Sequence, residues 1–159
     1  MKTVLDLGAY SGQASVHLVK PGDTWILVDN EQYRDYDGWK QPGTPENATR
    51  ITCDIMDYHE PADIVVCSNV LYHVPRPFEF LKHLRKLTKD VLYLKTYHNE
   101  TGEDWTFYDP LKNPGSGHGP TARTIFYRPS HAGLEKALKD AGFTDIKIQD
   151  GHELTAECR

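Results

Sequence analysis

Short apolar runs recur along the chain, each closed by a carboxylate or a turn residue. Residues 3–7 (Thr-Val-Leu-Asp-Leu) predict a first strand, Gly8 to Gly12 a turn, and Gln13 to Val19 a short helix stopped by Lys20-Pro21-Gly22. Residues 24–28 predict a second strand ending at Asp29, and residues 50–53 a third ending at Asp54. Residues 63–68 (Asp-Ile-Val-Val-Cys-Ser) predict a fourth, whose unbroken apolar stretch suits a strand buried on both faces. The polar stretch 31–49 must hold the second crossover, although its helix is weakly signalled.

After Pro77 an amphipathic helix is predicted, with Phe78, Leu81, Leu84 and Leu87 as its apolar stripe. The basic residues Lys82, His83, Arg85, Lys86 and Lys89 cluster on the same helix, as a solvated face or a local basic patch. Val91 to Tyr97 reads as a fifth strand. Residues 98–124 form a long loop rich in glycine, proline and aromatics, a length that in compact domains is functional or disordered. Ser130 reads as an N-cap, Leu134, Leu138 and Ala141 as an apolar stripe, and Gly142 as a stop. Thr144 to Gln149 and His152 to Glu157 then flank Asp150-Gly151, a two-residue hairpin signal. Alternating strands and helices predict a mostly parallel sheet covered on both faces, finished by an antiparallel hairpin. A plain dinucleotide-binding fold does not end this way.

Composition narrows the class. The 159 residues, 38% hydrophobic and 26% charged, fit one globular domain spanning 1–159. No apolar run approaches the roughly 20 residues of a membrane helix. Met1 and Lys2 lead directly into a strand-like run instead of a signal peptide, so export is not expected. Cys53, Cys67 and Cys158 are widely spaced, and two lie in apolar runs; they predict reduced core thiols, a cytoplasmic setting and no metal site. A net charge of −5 gives no general attraction to nucleic acid.

Four constellations carry candidate chemistry. In Val4-Leu5-Asp6-Leu7-Gly8-Ala9-Tyr10-Ser11-Gly12, a carboxylate stands inside the strand, two residues before the first glycine. Such a group is costly without a partner, and a ligand with a sulfonium and an ammonium would give it one. Asp29 follows the first glycine by about 20 residues, where a carboxylate can take both ribose hydroxyls. As an alternative, Asp29 and Asn30 are ordinary turn formers. Asp54 and Ile55 close the third strand, with Asp57 as a second carboxylate; turn chemistry is again the alternative. The fourth is Asp63 to Val74, which contains Cys67, Ser68, Asn69 and Leu71-Tyr72-His73.

The first segment resembles motif I of class I S-adenosylmethionine-dependent methyltransferases, Asp/Glu-x-Gly-x-Gly-x-Gly. Asp6, Gly8 and Gly12 match, and Tyr10 replaces the middle glycine. The spacing does not fit the dinucleotide fingerprint, which weakens a dehydrogenase reading. The resemblance covers about residues 3–157, apart from the two long loops. It implies a Rossmann-like, doubly wound α/β fold with a C-terminal antiparallel hairpin. It implies S-adenosylmethionine as cofactor, with Asp6 toward the amino acid end, Asp29 on the ribose, Asn30 beside the adenine edge and Asp54 on the adenine amino group. Ile55 would pack on the ring, and the backbone around Cys67 and Ser68 would meet the amino group. The Leu-Tyr-His form and the helix after it are similar to methyltransferases related to tRNA wobble-uridine modification, and also to many small-molecule enzymes. The absence of Asn/Asp/Ser-Pro-Pro-Tyr/Phe argues against methylation of exocyclic amines in DNA.

Methyl transfer from an activated donor needs positioning and desolvation, and a base only where the acceptor must lose a proton. His73, Tyr97 and His98, from the ends of strands four and five, are the candidates. A structural hydrogen bond for His73 and plain exposure for His98 are the alternatives. The 98–124 loop is the candidate substrate lid, where Trp105, Phe107, Tyr108, His118 and Arg123 offer stacking and hydrogen bonding. Family members usually carry a segment before the first strand that covers the ligand. Cover here would come from the two loops, a second copy in a homodimer, or a partner subunit. The leading expectation is methylation of a small-molecule acceptor. An RNA methyltransferase and a non-catalytic subunit that activates a partner are the alternatives, and a dehydrogenase comes last.

Overall fold

The computed structural model describes residues 1–30, 48–99, 102–108 and 126–159. Nine strands are described: β1 (Thr3–Leu7), β2 (Thr24–Asp29), β3 (Ala48–Thr52), β4 (Ala62–Ser68), β5 (Thr88–Thr96), β6 (Trp105–Tyr108), β7 (Phe126–Pro129), β8 (Lys147–Gln149) and β9 (Leu154–Cys158). Two α-helices, α1 (Pro77–Leu87) and α2 (His131–Ala141), and 3-10 turns at Val16–Leu18 and Leu71–His73 complete them. Of the helix expected over 13–19, only the 3-10 turn forms.

Seven strands make one sheet in the order β3-β2-β1-β4-β5-β9-β8. The first five are parallel, whereas β9 runs antiparallel to β5 and β8 antiparallel to β9. The expected α/β sheet with an antiparallel end is therefore present. Strand order reverses between β1 and β4, the kind of switch point at whose carboxyl ends open α/β sheets bind ligands.

Side chains alternate across the sheet. Leu5, Leu7, Val65, Cys67, Leu92 and Leu94 meet Leu81 and Leu84 of α1 and Leu134 and Leu138 of α2, in the larger core. The opposite face holds Val4, Ala9, Trp25 and Leu27. Both described α-helices pack on the first face, and most of the crossover between β2 and β3 lies outside the described residues.

Helix α1 corrects the sequence reading in one respect. Its buried face is Pro77, Phe80, Leu81, His83, Leu84 and Leu87, and Phe78 is 52% exposed. At roughly 100° per residue, Phe80, Leu84 and Leu87 share one line, and Phe78 lies about 160° from Phe80. The basic cluster is also not one surface. His83 is buried beside the Ile55 carbonyl, 3.1 Å from its Nε2. Arg85 donates to the carbonyls of Gly142 and Thr88 and covers the Phe143 ring, and Lys89 belongs to β5.

Helix α2 begins and ends as its sequence predicts. The Ser130 hydroxyl accepts from Gly133 N–H at 3.0 Å, and Gly142 closes the helix at φ +96°. The Asp150-Gly151 pair does not make a two-residue turn. Gln149 pairs with Thr155, leaving a wider loop whose Asp150 meets His131 at 2.8 Å and whose Glu153 pairs with Lys95.

The predicted loop 98–124 is not loop throughout. β6 pairs antiparallel with β7 as a separate two-stranded sheet. Asn99 ties its base, donating to the carbonyls of Glu103 and Arg128.

Candidate active site

Because β1 to β4 run parallel, the carboxyl ends of all four lie along one rim. Hydrogen bonds join three of these ends directly. Gly8 and Ala9 N–H donate to the Val28 carbonyl, Tyr10 N–H donates to Asp29 Oδ2 at 2.8 Å, and Cys53 N–H donates to the Asp29 carbonyl. Val70, just past β4, packs on Gly8 so closely that a Cβ there would overlap its Cγ2. Gly8 and Gly12 stand at φ +72° and +77°. Tyr10, in place of a middle glycine, also adopts a left-handed φ of +48°, and its bond to Asp29 helps hold it there.

Asp29 is 5% exposed. Burial raises its pKa, and the backbone N–H groups of Tyr10 and Asn30 partly offset that rise. Each carboxylate oxygen takes one backbone N–H and keeps further acceptor capacity. Asp6 is buried inside β1. Its Oδ2 accepts from the Ser15 hydroxyl at 2.6 Å, and its buried Oδ1 has no partner. Burial first, and then the charge of Asp29, push Asp6 up to about 7 against the Ser15 hydrogen bond.

Asp54 is exposed and caps its own turn, accepting Met56 N–H at 2.8 Å. Ile55 is half-buried against the larger core. Cys67 is fully buried, its thiol pushed far above its ordinary range by burial, whereas Ser68 is half-buried at the end of β4. Asn69 takes a left-handed φ of +62°, and its Oδ1 is buried without a partner.

On the acceptor side, Tyr72 brings two candidate bases into one group. Its ring lies 4.2 Å from that of His73 and 4.8 Å from that of Tyr97. Tyr97 also meets His152 edge-on at 6.2 Å and carries the Arg128 guanidinium 5.4 Å from its centroid. His98 is half-buried, and no described contact joins it to this group. Trp105 is half-buried: its Nε1–H donates to Gly133 O, and its ring packs on Phe78. Tyr108 pairs with Phe126 in β6, whereas His118 and Arg123 lie outside the described residues. Sequence reading missed Ser15, Val70, Arg128 and His152. Val70 lay inside the Asp63–Val74 segment and Ser15 just past the first glycine motif, and no spacing rule marked either.

Residues 1–148 match the family described as "Methyltransferase domain". The chain belongs to the methyltransferase-domain family. A tRNA U34 carboxymethyltransferase of Chromohalobacter salexigens is 25% identical over a 164-residue alignment covering 94% of this chain. This methyltransferase-domain chain spans only 46% of that relative's length. Among solved structures, the N-terminal domain of EvdMO1, crystallised with SAH and D-fucose, superposes at a TM-score of 0.73 with 20% identity, covering 99% of this chain and 75% of that one. The Burkholderia thailandensis 1,6-didemethyltoxoflavin-N1-methyltransferase, with bound 1,6-didemethyltoxoflavin and S-adenosylhomocysteine, superposes at a TM-score of 0.70 with 15% identity, covering 99% of this chain and 70% of that one. These likenesses establish the methyltransferase fold. Among the described residues no helix is long and apolar enough to cross a membrane, and no metal-ligating cluster forms.

Proposed function

We propose that this chain transfers a methyl group from S-adenosylmethionine to a small-molecule acceptor. The observation that carries the reading is Asp29, a buried carboxylate at the carboxyl end of β2, bonded to the glycine turn and open to further donors. The residues present fit the cofactor. Asp29 would take the ribose hydroxyls, with Asn30 at the adenine edge. Asp54 and Ile55 would meet the adenine, with Asp54 Oδ2 left for its amino group. The unpartnered Asp6 Oδ1 would face the amino acid end. Gly8, Tyr10 and Gly12 would bring backbone close to the ligand, and the strand end at Cys67, Ser68 and Asn69 would close the other side.

Bound S-adenosylmethionine supplies an electrophilic methyl carbon, so the chain's own residues mainly bind, orient and exclude water. His73 and Tyr97, gathered by Tyr72, would take a proton from an acceptor that must lose one. Tyr108 at the end of β6, together with His118 and Arg123, would contribute on the acceptor side.

A purified chain that converts S-adenosylmethionine to S-adenosylhomocysteine with a small acceptor meets this expectation and rejects the non-catalytic subunit. Thermal stabilisation by NAD, with none by either adenosyl ligand, overturns it. The relative's name favours a tRNA acceptor as a second reading. The dispersal of the α1 basic residues counts against that reading, and salt-dependent retention of tRNA would restore it.

A further inference from the structure

Ser15 and Trp25 belong to no motif, yet Ser15 holds the buried carboxylate inside β1 and Trp25 holds Ser15. Alternation along β1 places Asp6 on the smaller-core face, beneath the segment that runs from Ala9 to Val19. Ser15 Oγ accepts Trp25 Nε1–H at 2.9 Å and stands 2.6 Å from Asp6 Oδ2 and 3.2 Å from the Gly12 carbonyl. Its single proton therefore has two acceptors to choose between.

With Asp6 ionised, the hydroxyl donates to Oδ2, and 2.6 Å is the length of a charge-assisted O–H···O bond. With Asp6 neutral, the acid proton lies toward Ser15 Oγ and the hydroxyl turns to Gly12. The Trp25 N–H is satisfied in both states. The ionised state leaves a buried charge with one hydrogen bond and a bare Oδ1. The groups acting on Asp6 are Ser15, which favours the charge, and Asp29 at the end of β2, which opposes it. Cys67 on β4 is held neutral by burial and by Asp6 itself. No described cation is among them, and the ammonium of a bound ligand would supply the compensating charge.

We propose that Asp6, Ser15 and Trp25 form a proton-linked selector for the ammonium of the cofactor: binding ionises Asp6, releases its proton to solvent, and swings the Ser15 hydroxyl from Gly12 to the carboxylate. The inference rests on the S-adenosylmethionine reading of the site. The balance is simple: a carboxylic acid and a cation become an ion pair, and one proton leaves. Ser15 is a positioning residue in this scheme. A ligand without the ammonium leaves Asp6 protonated and gains nothing from it.

Calorimetry tests this with two probes, S-adenosylhomocysteine and 5′-methylthioadenosine, which keeps the nucleoside and thioether but lacks the ammonium. Titrations in phosphate and in Tris at pH 6, 7 and 8 count protons from the difference in buffer ionisation heat. For S-adenosylhomocysteine about 0.9 proton should leave at pH 6 and about 0.1 at pH 8. Affinity should be about tenfold weaker at pH 6, the competent fraction being that much smaller. Methylthioadenosine should bind alike at all three values. Asp6→Asn should flatten the profile for S-adenosylhomocysteine and leave methylthioadenosine unchanged. Ser15→Ala should move the profile to higher pH, and Ser15→Thr should restore it. A purely structural Ser15 would weaken both probes equally without moving the profile, and would overturn its assignment. A flat affinity with no proton release overturns the selector while the cofactor reading stands. Failure of both probes to bind at any pH removes the cofactor reading and the selector with it.

Discussion

The Tyr10 N–H donates to Asp29 Oδ2 at 2.8 Å, so the glycine turn and the end of β2 hold each other in place. Removing that carboxylate takes away a turn anchor and the proposed ribose acceptor together. Asp29→Ala should weaken S-adenosylhomocysteine binding by about 2–3 kcal/mol, the cost of losing hydrogen bonds to a charged group. Calorimetry reads this directly, and an affinity within threefold of wild type would remove the ribose assignment.

Gly8 is constrained by its neighbour as well as by its own backbone. An alanine there carries a Cβ into Val70 at φ +72°. Gly8→Ala should lose roughly 2 kcal/mol or more of stability, with part of it recovered in the Gly8→Ala/Val70→Ala double variant. Urea unfolding midpoints measure the coupling, and simple additivity would show that the two residues do not collide.

Much of this arrangement was legible along the chain. Strands β1, β2 and β4 are apolar runs closed by turn residues, and Ser130 and Gly142 mark the ends of α2 by local chemistry alone. What stayed hidden depends on distant partners. The α1 face is chosen by what α1 packs against, so Phe80 and His83 turn inward while Phe78 meets Trp105. β6 becomes a strand because β7 pairs with it across residues 109–125. The wide loop after β8 follows His131 and Lys95, which lie on other elements. At the site, Asp6 and Asp29 stood out as strand-bound carboxylates, but the Ser15 and Trp25 contacts exist only once β1 and β2 are side by side.

The two aromatics of α1 give a direct check on that account. Phe80→Ala should cost about 3–5 kcal/mol, as truncation of a fully buried ring does, and Phe78→Ala well under half as much. Equal losses in thermal or urea unfolding would restore the stripe drawn through Phe78.

Asp6 sets a pH slope on the ligand-free protein. Its folded pKa, about 7, lies above the unfolded value of 3.8, so the native state binds the extra proton. Its penalty is absent below about pH 4, grows as pH rises toward 7, and is fully present above that. Asp6→Asn should therefore be more stable than wild type at pH 8 and gain nothing at pH 4. Urea midpoints across that range decide it, and a pH-independent difference would place the proton elsewhere.

His83 contributes the opposite slope. Burial lowers its pKa below 6.5, and the hydrogen bond from Nε2–H to the Ile55 carbonyl offsets that only in part. Its stabilisation is present above pH 6.5 and is lost as pH falls through its depressed folded value. His83→Gln should lose less stability than wild type between pH 7 and pH 5 in the same urea assay. A slope equal to that of wild type would assign the acid sensitivity to another group.

The strand that completes the parallel sheet's open side is β9, which sits between β5 and β8 although it follows both in the chain. During synthesis, β5 must wait for about sixty more residues to leave the ribosome before its free row of N–H and C=O groups is covered, and an uncovered row is a template for pairing with other chains. Nascent chains stalled before Leu154 should therefore be the species that chaperones hold, and losses of β9 should surface as insoluble protein before they surface as lost catalysis.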